Sequence, residues 1–264
     1  MAVFNVQFQS YTLRQRTDLM VIVPSSIGWD RIHGTNRHTD FPDKFPCLYM
    51  LHGFGGNCMD VIFSTRIESY AQRYQIAVVM PSGCNAAFTN MKYGPEFGTF
   101  LHEELPEFCQ RMFPISSARE DTFIAGFSMG GYGAFVNAIG YPDRYGAAAS
   151  IAGTLNVDAR VQGQTNTVPA MVYGMYGDPP VIDRHSQDVF VMLEDSVREG
   201  IDLPRLYACS GRQDIRAYPR FKMLQEHCEK AGISGITMEE NDGEHTWDYC
   251  DMMLPRVIEW LLQK

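Results

Sequence analysis

From about residue 46 onward, short apolar runs typical of buried β-strands alternate with segments of helical periodicity. This alternation constrains the fold most, because successive β-α-β units build a mostly parallel sheet with helices on both faces. The predicted strands lack polar alternation, as expected for strands that are buried on both sides. They are Pro46–Leu51, Ile76–Met80, Thr122–Gly126, Ala147–Ile151, Leu206–Cys209 and Ile236–Glu239.

Two more strands are predicted before this region, at Val3–Phe8 and Leu19–Val23, and their closeness in sequence favours an antiparallel hairpin. Helical periodicity marks the longer segments between and after the strands. These segments are Phe97–Met112, about Gly130–Ile139, Ala217–Ala231 and Asp248–Leu262. The sequence therefore predicts an α/β fold with a central sheet of about eight strands.

A chain of 264 residues buries enough surface to stabilise a core without disulfides or metal. We predict a single domain over residues 1–264. Residues 155–204 interrupt the strand–helix alternation, with little regular signal before Ser186. Insertions of this length are usually lids or disordered loops. Met171, Tyr173 and neighbouring apolar residues favour a lid.

Charge and composition exclude several classes of function. The formal net charge is −9, which disfavours binding to nucleic acid or to a membrane surface. No apolar segment reaches the ~18 residues of a membrane span, and the N-terminal sequence lacks the pattern of a signal peptide. Seven scattered cysteines without a C-x-x-C pair indicate reduced thiols and a cytoplasmic protein.

No cofactor is predicted. The glycines after Gly53 lack the spacing of a dinucleotide-binding loop, and no phosphate-binding P-loop is present. His33, His38 and Asp40 lie close together in a polar stretch, but their spacing fits no metal-binding motif. We therefore predict no metal site and interpret this stretch as a solvated loop.

The segment from Gly126 to Gly130 has the pattern G-x-S-x-G, with Ser128 at its centre. About 0.1 accidental matches are expected in a chain with 23 glycines, and here a predicted strand precedes the motif and a helix follows it. Such a turn places a nucleophilic serine at the edge of the sheet, and the glycines prevent a collision across the turn. The helix N-terminus makes the Met129 amide a candidate oxyanion donor. The alternative is a glycine-rich turn in which Ser128 caps the helix.

A serine nucleophile needs a base and an acid that orients the base, and in α/β hydrolases both follow the serine in the chain. Among the three later histidines, His245 lies in a turn after the last predicted strand, at the rim where Ser128 is expected. His227 falls within a helical pattern and His185 within the insertion, so both are interpreted as surface residues. His245 is therefore the candidate base.

Asp214 is the candidate acid, because it follows the strand Leu206–Cys209 at the same rim of the sheet. An ordinary role as a helix N-cap is the alternative. Asp178 and Asp183 are less favoured candidates, and Asp242 is too close to His245 in sequence for triad geometry.

The glycine-rich loop after Leu51 is expected to supply a second oxyanion donor, the Phe54 amide. His52, within this loop, is interpreted as a structural residue rather than a ligand. Phe88, Tyr176 and Trp247 are candidate walls of a substrate pocket, with packing in the core as the alternative.

Together these segments resemble the esterase D family of α/β hydrolases, and most closely its bacterial tributyrin-esterase and acetyl-feruloyl esterase branch. The matching segments occur in the same order along the chain. They are Tyr49–Asn57, Met80–Ser82, Thr89–Gly94, Phe100–Pro106, Phe123–Gly133, Cys209–Asp214 and Gly243–Trp247.

This resemblance implies an α/β-hydrolase fold, a triad of Ser128, Asp214 and His245, and oxyanion amides at Phe54 and Met129. It implies a serine carboxylesterase for acetyl to butyryl esters, with sugar acetates or hydroxycinnamoyl esters as further substrates, and a homo-oligomer. Formylglutathione hydrolases of the family usually carry Ser-Gly-Leu-Thr-Cys where this chain has His-Gly-Phe-Gly-Gly at residues 52–56. An S-formylglutathione hydrolase-like thioesterase, an acyltransferase using the same triad and a non-catalytic binding module are the alternatives.

Overall fold

In the computed structural model, residues 1–25, 42–158, 161–162 and 168–263 are described. They form an eight-stranded sheet in the order β1-β2-β4-β3-β5-β6-β7-β8. β1 pairs antiparallel with β2 and β2 antiparallel with β4, whereas all pairings from β4 through β3 to β8 are parallel. The strands are β1 Ala2–Ser10, β2 Gln15–Val23, β3 Cys47–Leu51, β4 Ala77–Pro81, β5 Thr122–Phe127, β6 Ala147–Ile151, β7 Arg205–Gly211 and β8 Ile236–Asn241.

Helices connect the strands and cover both faces of the sheet. They are α1 Asp60–Ser64, α2 Ile67–Tyr74, α3 Phe97–Thr99, α4 Leu105–Met112, α5 Met129–Gly140, α6 Pro169–Tyr176, α7 Arg184–Gln187, α8 Val189–Glu199, α9 Tyr218–Ala231 and α10 Trp247–Leu262. No described helix has both the length and the apolar character needed to cross a membrane.

Successive side chains of the parallel strands divide between two apolar clusters, one on each face. In β3, Tyr49 and Leu51 join the cluster under α4, α5, α8 and α9, whereas Leu48 and Met50 join the cluster under α2 and α10. This division follows from the two-residue period of a strand. It explains why these strands appear in the sequence as continuous apolar runs, and it confirms the predicted α/β fold.

The predicted helix Phe97–Met112 is not regular, because residues Phe100–Glu104 form a π-helical turn between α3 and α4. The Leu105 N–H donates to the Phe100 carbonyl five residues earlier, and Pro106 has no N–H to donate. The wider turn brings Glu104 against the β1–β2 hairpin. There its buried carboxylate accepts hydrogen bonds from Ser10 Oγ at 2.6 Å, Tyr11 N–H at 2.9 Å and Thr12 N–H at 3.0 Å.

We expect Glu104→Ala to lower the free energy of unfolding by about 2–3 kcal/mol, because two backbone donors lose a charged acceptor. Burial raises the pKa of Glu104, but these hydrogen bonds outweigh burial and hold the pKa below its ordinary value of 4.5. The stabilisation is therefore complete above pH 4.5 and is lost on further acidification. Urea unfolding followed by circular dichroism measures the effect. Exposed Glu103→Ala is the matched control, and equal effects of the two variants would contradict this account.

Candidate active site

Ser128 occupies the turn between β5 and α5. Its φ of 55° and ψ of −113° are rarely adopted by residues other than glycine. The backbone is held in place because Ser128 N–H donates to the Ile151 carbonyl at 2.9 Å and Gly131 N–H donates to the Ser128 carbonyl at 3.0 Å. The Ser128 side chain makes no capping hydrogen bond, so the structure does not support the helix-cap alternative.

Gly126 and Gly130 allow the close approach of backbone segments at this turn. A Cβ at Gly126 would lie 2.3 Å from the carbonyl atoms of Gly130, and a Cβ at Gly130 would lie 2.3 Å from the Leu51 carbonyl oxygen. The sequence predicts that both glycines avoid a collision across the turn, and the structure shows such a close approach at Gly126. The structure shows that Gly130 is instead required by the end of β3, which passes next to the Ser128 turn.

A continuous chain of hydrogen bonds joins Ser128, His245 and Asp214. The Ser128 Oγ lies 2.8 Å from His245 Nε2, and His245 Nδ1 lies 2.5 Å from Asp214 Oδ2. The three residues follow β5, β8 and β7, whose carboxyl ends meet at one rim of the sheet. The structure thus brings together the three residues that the sequence selected, across a separation of 117 positions between Ser128 and His245.

The second oxygen of Asp214 is held by the backbone. Asp214 Oδ1 accepts hydrogen bonds from the N–H groups of Arg216 and Ala217, both at 2.8 Å. Burial raises the pKa of the Asp214 carboxyl, but the hydrogen bonds from His245 and from these amides outweigh burial and hold the pKa below its usual range. An ionised Asp214 accepts a hydrogen bond from the protonated Nδ1 of His245. The lone pair of His245 Nε2 then faces the Ser128 hydroxyl.

Two loops and an aromatic ring position His245. The loops after β7 and β8 are bonded to each other, because Gln213 N–H donates to the Gly243 carbonyl at 3.1 Å and Gly243 N–H donates to Gln213 Oε1 at 2.5 Å. The Phe127 ring, next to Ser128 in sequence, packs 5.0 Å from the His245 ring and 4.8 Å from that of Trp247. The imidazole is therefore fixed by hydrogen bonds at both nitrogens and by a ring beside it.

Buried His52 anchors the loop after β3. The Gly83 N–H donates to His52 Nε2 at 3.0 Å, so Nδ1 carries the proton and donates to the Gly53 carbonyl at 2.7 Å. Burial lowers the pKa of His52, and the hydrogen bond to Gly53 offsets this only in part. The ring therefore stays neutral and links this loop to the loop after β4, which is a structural role.

The orientation of the Gly53–Phe54 peptide follows from this anchor. The Gly53 carbonyl accepts from His52 and, at 3.2 Å, from Gly56 N–H. Because the C=O and N–H of a trans peptide point in opposite directions, Phe54 N–H points away from His52. Gly53 itself lies against the serine turn, where a Cβ at Gly53 would be 3.7 Å from Ser128 Cβ. Within the described residues, neither Phe54 N–H nor Met129 N–H has a hydrogen-bond acceptor.

A cavity of about 260 Å³ lies beside Ser128 and His245. Its walls include three aromatic side chains and two charged ones: Phe54, Phe127, Trp247, Asp60 and Arg216. The sequence predicts Phe54 and Trp247 as site residues, but it does not predict the other three. Arg216 lies two positions after Asp214 and Asp60 four positions after Gly56, so proximity to the motifs was the only signal that could have found them.

Phe88 and Tyr176 do not reach this cavity. Both are only 1% exposed, and Phe88 packs edge-on against His52 with ring centroids 5.1 Å apart. Tyr176 ends α6, which the sequence did not predict, and it belongs to the same apolar cluster as Phe88. For these two residues the structure shows the core-packing alternative, and only Trp247 lines the cavity.

The other histidines of the sequence analysis lie apart from Ser128. His185 is exposed and pairs with Asp195 at 2.5 Å, and His227 lies 3.3 Å from Glu194. His33, His38 and Asp40 lie outside the described residues. Among the residues that are described, no group of three or more potential ligands is arranged to hold a metal ion.

Comparison with known proteins places this chain in a family. The family model "Putative esterase" matches residues 36–257 of the chain. The chain belongs to this esterase family. An acetyl esterase from Caldicellulosiruptor saccharolyticus is 29% identical over an alignment of 278 positions, which covers 99% of this chain and 98% of that esterase.

Two solved structures from Staphylococcus aureus share the fold over nearly the whole esterase chain. FphF, a fluorophosphonate-binding serine hydrolase in a substrate-bound form, has a TM-score of 0.88 and 24% identity, covering 100% of this chain and 99% of its own. FrmB, an S-formylglutathione hydrolase, has a TM-score of 0.83 and 25% identity, covering 99% of both chains. The esterase has the α/β-hydrolase fold and is a carboxylic ester hydrolase, as the sequence predicted.

Proposed function

We propose that this esterase hydrolyses short-chain acyl esters, from acetyl to butyryl, through an acyl-enzyme on Ser128. The hydrogen-bonded chain from Ser128 Oγ through the His245 ring to Asp214 carries this proposal. In it, His245 Nε2 takes the proton of the Ser128 hydroxyl as Oγ attacks the ester carbonyl, and Asp214 stabilises the resulting imidazolium. His245 then returns the proton to the departing alcohol. A water molecule, activated by the same imidazole, releases the acid.

The negative oxygen of the tetrahedral intermediate would be bound by the Phe54 and Met129 amides. Two observations support this assignment. Both N–H groups lack an acceptor within the described residues, and Met129 opens α5, so the positive end of that helix faces the same point. His52 contributes by fixing the Gly53 carbonyl on the opposite side of the peptide.

The cavity supports small acyl groups. Its volume of about 260 Å³ is below the ~300–1,000 Å³ that is typical of sites for drug-sized ligands. Phe127 and Trp247 supply apolar walls, and the backbone of the Gly53–Gly56 loop closes another side. The aromatic walls also fit the rings of sugar acetates or hydroxycinnamoyl esters. Both kinds of ester are therefore tested as substrates.

We expect kcat/KM for p-nitrophenyl acetate and butyrate to exceed that for the octanoate by about tenfold or more, because a pocket that cannot accept extra methylenes discriminates strongly. The panel also contains feruloyl, sugar-acetate and formylglutathione substrates. Trp247→Ala should reduce the preference for short chains by enlarging the cavity. Trp260→Ala, on the same helix but packed against Tyr207, is the matched control. Equal rates for octanoate and acetate in the wild type would contradict the proposed substrate class.

We further propose that residues 1–264 form one domain, with residues 155–204 as a lid-like insertion. The described part of this insertion is hydrogen-bonded to the rest of the protein, since Tyr93 N–H donates to the Gly174 carbonyl at 2.8 Å and Tyr132 Oη donates to the Gln187 carbonyl at 2.6 Å. None of its described residues lines the cavity at Ser128. A lid role would therefore require this segment to move.

A cytoplasmic, homo-oligomeric protein is also part of the proposal. All seven cysteines are free, and six of them are buried, which suits a reducing compartment. The edge strand β1 contains no charged residue, and its Val3 and Phe4 side chains are about 40% exposed. An uncharged edge of this kind favours pairing with another chain.

A further inference from the structure

Arg216 is an arginine without an acidic partner at the wall of the cavity. Acidic residues outnumber basic ones 31 to 22 in this chain, and surface arginines such as Arg66 and Arg184 form ion pairs with carboxylates. Arg216 is exposed and lines the cavity beside Ser128. Within the described residues, its guanidinium has neither an ion pair nor a hydrogen bond. Its five N–H donors are therefore available to a ligand.

The position of Arg216 is tied to the hydrogen-bonded chain of the active site. Its backbone N–H donates at 2.8 Å to Asp214 Oδ1, while the other oxygen of the same carboxylate holds His245. The carboxylate that orients the imidazole therefore also fixes the backbone position from which the Arg216 side chain extends. A substrate group bound by Arg216 would therefore be held at a defined position relative to His245.

The sheet order determines which part of a substrate meets Arg216. β3 and β7 lie on opposite sides of β5, so the loop carrying Phe54 and the loop carrying Arg216 approach Ser128 from opposite sides. The ester carbonyl oxygen belongs on the Phe54 side if it is to reach the amides there. The departing oxygen belongs on the other side, within reach of His245 Nε2. Arg216 therefore faces the alcohol portion of a bound ester.

We propose that Arg216 binds a carboxylate on the alcohol portion of the substrate, so that the preferred leaving group is a hydroxy acid. A guanidinium binds a carboxylate through two parallel, charge-assisted hydrogen bonds. Asp60, on the Phe54 side of the cavity, repels a carboxylate placed there and thereby favours the same orientation. This specificity rests on the proposed esterase mechanism and adds to it the identity of the leaving group.

The test compares para-acetoxybenzoate with para-acetoxybenzamide, together with the corresponding meta pair. Both members of a pair release a phenol from the same acetyl group, and only one carries a charge. We expect wild-type kcat/KM to favour the carboxylate by about five- to tenfold in at least one pair, with the preference decreasing as salt is added. Arg216→Gln should abolish the preference, because it lowers kcat/KM for the carboxylate about five- to tenfold more than kcat/KM for the matching amide. Arg216→Lys should retain part of it.

Arg212→Gln is the matched control. It removes the same charge from the same loop, but Arg212 is paired with Asp242 at 3.2 Å and does not line the cavity, so the preference should persist. The proposal is overturned if the wild type shows no preference in either pair, or if Arg216→Gln leaves the preference intact. Loss of activity on all four esters in a folded wild-type protein would instead refute the esterase mechanism itself.

Discussion

Ser128→Ala should reduce kcat for p-nitrophenyl acetate by roughly 10³–10⁶-fold. The substitution removes only Oγ, the atom 2.8 Å from His245 Nε2. The cavity and the two amides remain, so the residual rate reports what binding and oxyanion stabilisation achieve without a nucleophile. Steady-state kinetics measures the loss. Intact-protein mass spectrometry after treatment with a fluorophosphonate should show one adduct on the wild type and none on the variant.

The stability of the variant separates chemistry from folding. Ser128 has a positive φ of 55°, and alanine carries the same Cβ into the same backbone strain. Thermal unfolding of Ser128→Ala should therefore be close to that of the wild type. Ser186→Ala, which removes an exposed hydroxyl bonded to Asp183, serves as the matched control and should keep full activity. If Ser128→Ala hydrolysed the ester at the wild-type rate, Ser128 would not be the nucleophile.

The positions of the strands and the rim of the sheet that carries the site could be predicted, because both follow from local apolar patterns and motifs. β3, β5 and β6 are buried at every position, so they appear in the sequence as unbroken apolar runs at the expected spacing. The G-x-S-x-G motif then marks the point where β5 ends. The order of acid and base along the sequence selected Asp214 and His245. In the structure His245 is hydrogen-bonded to Ser128, and Asp214 is hydrogen-bonded to His245.

The walls of the cavity were harder to predict, because apolar residues look alike in a sequence whether they face a core or a substrate. Phe88 and Tyr176 are as apolar as Phe127, yet only Phe127 lines the cavity. Phe88 also has a positive φ of 58°, and its ring packs against Gly83 and Gly133, which are distant from each other in the sequence. Distinguishing these positions requires the three-dimensional packing itself.

Irregular backbone was also beyond the sequence patterns. The π-helical turn at Phe100–Glu104 lies in a segment whose apolar spacing fits a regular helix, so periodicity alone predicts a continuous one. α6 begins with Pro169, contains Gly174 and has no charged residue, so its sequence has neither a clear polar face nor a typical helical composition. In both segments, tertiary contacts decide a geometry that the local sequence leaves open.

Asp214→Asn should reduce kcat by about 10⁴-fold, because it reverses the proton arrangement of His245. The backbone amides of Arg216 and Ala217 both donate to Oδ1, so the asparagine oxygen must occupy that position. Its NH₂ group then faces His245 Nδ1, which has to become an acceptor. The proton moves to Nε2, and that nitrogen can no longer accept the proton of Ser128.

Kinetics and nitrogen NMR together test this chain of consequences. The ¹⁵N shifts of the His245 ring should show Nδ1 protonated in the wild type and Nε2 protonated in Asp214→Asn. Asp242→Asn is the matched control, since Asp242 lies three residues before His245 but is 83% exposed and pairs with Arg212. It should keep both the wild-type rate and the wild-type tautomer. If Asp214→Asn lost activity without a change of tautomer, Asp214 would act mainly by charge. If the variant stayed active, the orienting role of Asp214 would be wrong.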